Sequence, residues 1–136
     1  MYKVIKETAY QGAGYCCVVI QSKEGKFTGY SFCNPEDDFS SFAGIKYAEK
    51  RAVAALCKEK AKIAKNQLQA VQNLKKDLNF KYKNPDKDFL RILNLKIRDY
   101  DNAVNHWNKV ASDLQESILL DDKERASILS KYSHTD

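Results

Sequence analysis

Only two prolines and five glycines punctuate 136 residues, and no glycine follows Gly44. Such scarcity excludes a loop-rich or many-turned architecture for most of the chain and favours long helices there. Four cysteines stand at 16, 17, 33 and 57 without a C-x-x-C spacing, and the two histidines, His106 and His134, lie far from them. A zinc site is therefore disfavoured, and reduced thiols packed in a core are the simpler reading. The longest uncharged apolar run, Ala13 to Ile20, falls well short of the ~20 residues a bilayer span needs. The first residues alternate apolar and polar instead of forming a leader, so the expected location is the cytoplasm. A phosphate-binding glycine loop, a G-x-G-x-x-G after a strand and an H-E-x-x-H pair are all missing. Neither histidine has a nucleophile and an orienting carboxylate in an evident pattern. Acidic residues 36 to 38 follow Asn34-Pro35 and read as a turn and cap set before they read as a Mg²⁺ site. No catalytic residue, metal or cofactor is expected.

What the chain does contain is 43% hydrophobic and 30% charged residues in 15.6 kDa, enough for one domain spanning 1–136. Up to about residue 34 it reads in period two: Tyr2, Val4, Tyr15, Cys17, Val19, Phe27, Tyr30 and Phe32, divided by Gly12, Gly14, Gly25 and Gly29. Three strands, near 2–9, 14–21 and 26–33, should form an antiparallel meander. One of its faces should pack on helix and the other should meet solvent or a second subunit. Asn34-Pro35 ends the sheet, and Asp38 or Ser40 can cap a first helix over 41–80. Asn84-Pro85 breaks that helix, and Asp86 or Asp88 can start a second over 86–132, with residues 121–132 either a short separate helix or its continuation. The fold class expected is α+β: a small N-terminal sheet followed by a long antiparallel helical hairpin.

The second helix carries the clearest pattern. Leu90, Leu93, Ile97, Tyr100, Val104, Trp107, Ala111, Leu114 and Ile118 advance in alternating steps of three and four, the period of a helix seam. Helix one answers with smaller teeth, Cys57, Ala61, Ala64, Leu68, Val71 and Leu78, which permit close approach.

Net charge is +5, and residues 41–80 hold a net +6 by themselves. Lys58, Lys62 and Lys65 share a helical face, either a solvated face or an anion site. Arginine occurs four times, and Arg91 and Arg98 lie on one stripe of helix two with Asn94 between them. Two guanidinium groups can grip a phosphate, and an amide can read a base edge. Phe80, Tyr82 and Phe89 flank the turn between helices, where they either stack on a base or close the core.

The run Gly29-Tyr-Ser-Phe-Cys-Asn-Pro-Glu-Asp-Asp-Phe-Ser, followed by Gly44, Ala48, Arg51 and Ala52, resembles the signature of a phage family, Thoeris anti-defence protein one. The resemblance implies a non-catalytic protein acting in an infected bacterial host. It would sequester the cyclic ADP-ribose isomers made by TIR-domain defence enzymes, as dimers or hexamers, with some members also holding cyclic oligonucleotides such as trinucleotides. Asn34, Gly44, Lys46 and Arg51 match the signature and are candidates for the oligonucleotide site, since a helix start attracts anions. For the ADP-ribose pocket the candidates rest on chemistry alone: Tyr82 or Phe89 stacking on adenine, Asn94 on the base edge, Arg91 and Arg98 on the pyrophosphate.

Two other classes remain open. A nucleic-acid-binding or anti-CRISPR-type protein would lay the basic first helix along phosphates, although the modest net charge disfavours it. A ligand-free scaffold would use the Leu93–Ile118 seam to bind partner helices, with Arg91, Asn94 and Arg98 as its polar flank. None of the three readings involves a membrane.

Overall fold

The computed structural model describes residues 1–32 and 40–133, with side chains described as far as Ile118 except Ala13. Its elements are β1 (Lys3–Tyr10), a short 3-10 turn (Gln11–Ala13), β2 (Tyr15–Ser22), β3 (Gly25–Phe32), α1 (Ser41–Lys81) and α2 (Lys87–Ser133). The chain is α+β, an antiparallel sheet in the order β1-β2-β3 followed by a helical hairpin, as the sequence pattern leads one to expect. Helix α2 runs unbroken to Ser133, so residues 121–132 continue it instead of forming a separate element. Contacts divide the chain into two compact units, Met1–Leu56 with Val110–Asp136, and Cys57–Lys109.

In the first unit, both hairpins turn where the backbone must leave the ordinary L-residue regions. Gly14 adopts φ 68° and closes the 3-10 turn with its N–H on the Gln11 carbonyl, and Gly25 takes φ 135° after the Lys23-Glu24 tip. Ser22 Oγ tightens that tip, donating to Glu24 Oε2 at 2.8 Å and accepting the Glu24 N–H. The register pairs Tyr10 with Tyr15 and Tyr15 with Phe32 at one end of the sheet, and Lys3 with Gln21 and Gln21 with Lys26 at the other. One irregularity occurs: Ile5 is bulged out of β1 between Val4 and Lys6.

Alternation then decides which side chains are buried. Cys16, Val18 and Ile20 are fully enclosed and pack with Ala48, Ala52 and Leu56 of α1. The period-two set read from the sequence thus mixes two faces. Val4 and Phe27 join this core, whereas Tyr15, Cys17, Val19, Tyr30 and Phe32 belong to the opposite side of the sheet. The core phase of β2 is the even-numbered one.

Helix and strand approach to backbone contact. A Cβ on Gly29 would fall 1.9 Å from the Ala48 carbonyl oxygen, and one on Gly44 would fall 2.5 Å from Cys16 Sγ. Ser31 Oγ, buried in the same layer, donates to the Gly44 carbonyl at 2.6 Å. Tyr2 ties the sheet to the helix from its other end by donating to Glu49 Oε1 at 2.8 Å. Ser40 caps α1, its Oγ accepting the Ala43 N–H, and Asp86 caps α2, its Oδ1 accepting the Asp88 N–H.

Along α2 every residue of the three-four seam is buried or half-buried, with Leu93, Ala111 and Ile118 the most enclosed. The antiparallel pairing appears inside each unit. Lys50 Nζ reaches Ser117 Oγ at 3.1 Å in the first, while in the second Lys75 Nζ reaches Asn94 Oδ1 at 2.7 Å and Lys60 lies 4.8 Å from the Trp107 ring centre.

Two predictions test this packing. Gly29→Ala should destabilise the chain by about 1 to 3 kcal/mol through overpacking, read as a melting temperature several degrees lower by circular dichroism. Gly12→Ala, with open space around the added Cβ, should leave the melt unchanged. Burial, reinforced by the bond to Glu49 and its charge, raises the Tyr2 pKa from 10.0 to about 12. The unfolded phenol loses its proton near pH 10 while the native one keeps it, so this stabilisation is complete below pH 10 and disappears as pH rises towards 12. Denaturant titrations across that range should fall less steeply for Tyr2→Phe than for the unchanged chain.

Candidate functional site

Among the described residues, two open depressions bring chemistry-bearing side chains together, one in each unit. The first lies on α2 in the unit Cys57–Lys109, about 460 Å³ in volume, lined by Lys87, Leu90, Arg91, Asn94, Leu95 and Arg98. Steps of three and four along one helix put these residues on a single stripe. The sequence reading found Arg91, Asn94 and Arg98 but stopped short of Lys87, which extends the same stripe by a turn. Three cations and one amide share this concavity, and among the described residues no carboxylate lines it. Asp99 lies beside it, its Oδ1 4.0 Å from Arg98 Nε, with both side chains about 70% exposed. In that setting the pair is worth little. Lys75 reaches in from α1 to donate to Asn94 Oδ1, which leaves the amide NH₂ as the group Asn94 can offer to an acceptor such as a base nitrogen. Leu90 and Leu95 supply the apolar part of the surface.

The aromatic residues expected beside this site are placed differently. Phe80 is 92% exposed, Tyr82 59% and Phe89 40%, so none of them closes the core at the hairpin tip. Neither Tyr82 nor Phe89 lines the depression, and stacking by either is not part of its geometry.

The second depression, about 530 Å³, lies at the free edge of β3 in the unit containing the sheet, lined by Thr28, Gly29, Tyr30, Phe32 and Arg51. Arg51 is held there by its Nη1, which donates to the Tyr30 carbonyl at 2.7 Å. Phe32 is 71% exposed beside it. The sequence reading named Arg51 as a candidate but passed over Tyr30 and Phe32, because period two alone does not say which face of a strand a helix will cover.

The remaining signature residues have structural places. Gly44, together with Gly29, Ala48 and Ala52, belongs to the helix–sheet contact, and Gly44 meets Cys16 and Ser31. Lys46 is exposed on α1. Asn34, Cys33, the acidic residues 36–38 and His134 lie outside the described residues. Lys58, Lys62 and Lys65 are exposed, as a solvated face requires.

Among the described residues no group of three or more His, Cys, Asp or Glu is placed to hold a metal ion. Cys16 and Cys57 are buried thiols, and burial pushes the Cys57 thiol pKa up, with Lys60 opposing the shift, so neither suits a nucleophile's role. His106 is exposed, its ring edge-on to Trp107 at 4.7 Å. No helix, among the described residues, is long and apolar enough to cross a membrane. Compared with known proteins, the chain matches no protein-family model, no curated protein and no solved structure.

Proposed function

We propose that this protein binds and sequesters a small cyclic nucleotide without cleaving it, the ligand class being the cyclic ADP-ribose isomers of phage anti-defence biology or a related cyclic oligonucleotide. The observation that carries the reading is the α2 depression, where Lys87, Arg91 and Arg98 converge with Asn94 and no carboxylate joins the lining. Such a surface suits an anion that carries both phosphate and a hydrogen-bonding base: paired guanidinium groups take the phosphates, and the Asn94 amide donates to a base acceptor. The resemblance of the Gly29–Ala52 stretch to the Thoeris anti-defence protein one family supports the same ligand class.

Sequestration demands that free ligand fall below the threshold of its receptor, and nanomolar affinity corresponds to about −12 kcal/mol. An open depression on one helix face excludes too little water to reach that figure. A second copy of the chain laid over α2 supplies the missing wall, so ligand retention and self-association rise together, and ligand raises thermal stability.

Native mass spectrometry of the protein mixed with cyclic ADP-ribose isomers, cyclic dinucleotides and cyclic trinucleotides tests this reading. The expected outcome is intact ligand retained on an oligomer. Replacing Arg91 and Arg98 together by Ala should weaken retention tenfold or more, which is about 1.4 kcal/mol. Release of a cleaved product would make the protein an enzyme, and undiminished retention by the double variant would move the ligand elsewhere.

A further inference from the structure

The sheet face turned away from α1 has no covering element among the described residues, and its residues change character from one end to the other. At one end a row of aromatic rings crosses all three strands: Tyr10 stacks on Tyr15 with centroids 4.5 Å apart, and Tyr15 meets Phe32 at 5.8 Å. Tyr30 stands on the same face one register step away, 49% exposed, and the Arg51 guanidinium is fixed against its carbonyl. At the other end the register brings Lys3 and Lys26 to either side of Gln21, with Lys6 one step nearer the rings, and all three lysines are exposed. The strand acids lie elsewhere: Glu7 pairs with Val18 and so belongs to the α1 side, and Glu24 is at the hairpin tip, bonded to Ser22.

We infer that this face is a docking surface for a single-stranded nucleic acid, bases stacking at the aromatic end and phosphates following the lysines. Charge complementarity selects the occupant, because among the described residues every formal charge on the face is positive, which suits a polyanion and does not suit a second copy of the same face. Length selects a polymer over a mononucleotide. Phe32 and Lys26 lie six residues apart on β3, about 20 Å at the strand rise, so one nucleotide cannot engage both ends. Exposed rings select a single strand, since bases stack on side chains only where they are unpaired. This surface is distinct from the α2 depression and does not depend on it.

Fluorescence anisotropy with a labelled 12-nucleotide oligo-dT, its oligo-U counterpart and a blunt DNA duplex of the same length tests the inference. Both single strands should bind, and the duplex should bind at least tenfold more weakly. Phe32→Ala, at an exposed position that leaves the fold intact, should lower single-strand affinity about fivefold or more. Replacing Lys3, Lys6 and Lys26 by Gln should reduce the slope of log affinity against log salt by about 2, three phosphate contacts at about 0.7 each. The Arg91→Ala, Arg98→Ala variant should bind the strand as the unchanged chain does, so loss of cyclic-nucleotide retention leaves this inference standing, and the reverse holds for Phe32→Ala. Equal affinity for duplex and single strand, or no change with Phe32→Ala, overturns it. So does light scattering that shows Phe32→Ala splitting a dimer while strand affinity is unaltered, because the face would then belong to a second copy.

Discussion

The close approach of β3 to α1 is the constraint on which the sheet-bearing unit depends. At Gly29 the strand backbone lies against the helix backbone with no room for a methyl group, and Ala48 and Ala52 are the small residues that allow it. Contact at that distance leaves little freedom to slide or tilt, because a shift of one residue would drive a larger side chain into the strand. Gly44 repeats the arrangement a turn earlier against Cys16, and Ser31 locks it with a hydrogen bond that satisfies the only polar group among the described buried residues. Once α1 is held in this way, Tyr30 and Phe32 are left exposed on the far side of the sheet, and Arg51 is carried to the strand edge where it meets Tyr30.

The helical part follows a looser logic. Its seam is made of many half-buried side chains and a few enclosed ones, and cations of α1 reach α2 at Ser117, Asn94 and the Trp107 ring. Hydrogen bonds and a cation over a ring help to fix the register of the two helices. The arginines of α2 are thereby left on the outward stripe, where their donors remain accessible to an anion.

Much of this was legible in the residues. Strand number, the three-four seam and the paired cap candidates, Asp38 or Ser40 and Asp86 or Asp88, follow from local rules whose partners lie within a few residues, while the structure selects Ser40 and Asp86. The stripe Arg91–Asn94–Arg98 was legible for the same reason, since neighbours on a helix face are fixed by the helix itself. What could not be read were properties set by distant contacts. Which phase of β2 is buried depends on where α1 lands, so Cys16, Val18 and Ile20 were indistinguishable from Tyr15, Cys17 and Val19 in an uninterrupted apolar run. Glycine and alanine at 29, 44, 48 and 52 stand out as a pattern, yet only the fold reveals that the pattern describes packing more than recognition. Phe80 and Tyr82 had two readings, and their exposure decides against a role in closing the core.

The bulge at Ile5 and the bond from Arg51 to the Tyr30 carbonyl fall on the two outer strands of the sheet. An outer strand with regular spacing and unoccupied carbonyls invites a neighbouring chain to extend it indefinitely. Here one border is thrown out of step and the other has an acceptor already taken. Each border is therefore a poorer template for an added strand than an uninterrupted one would be.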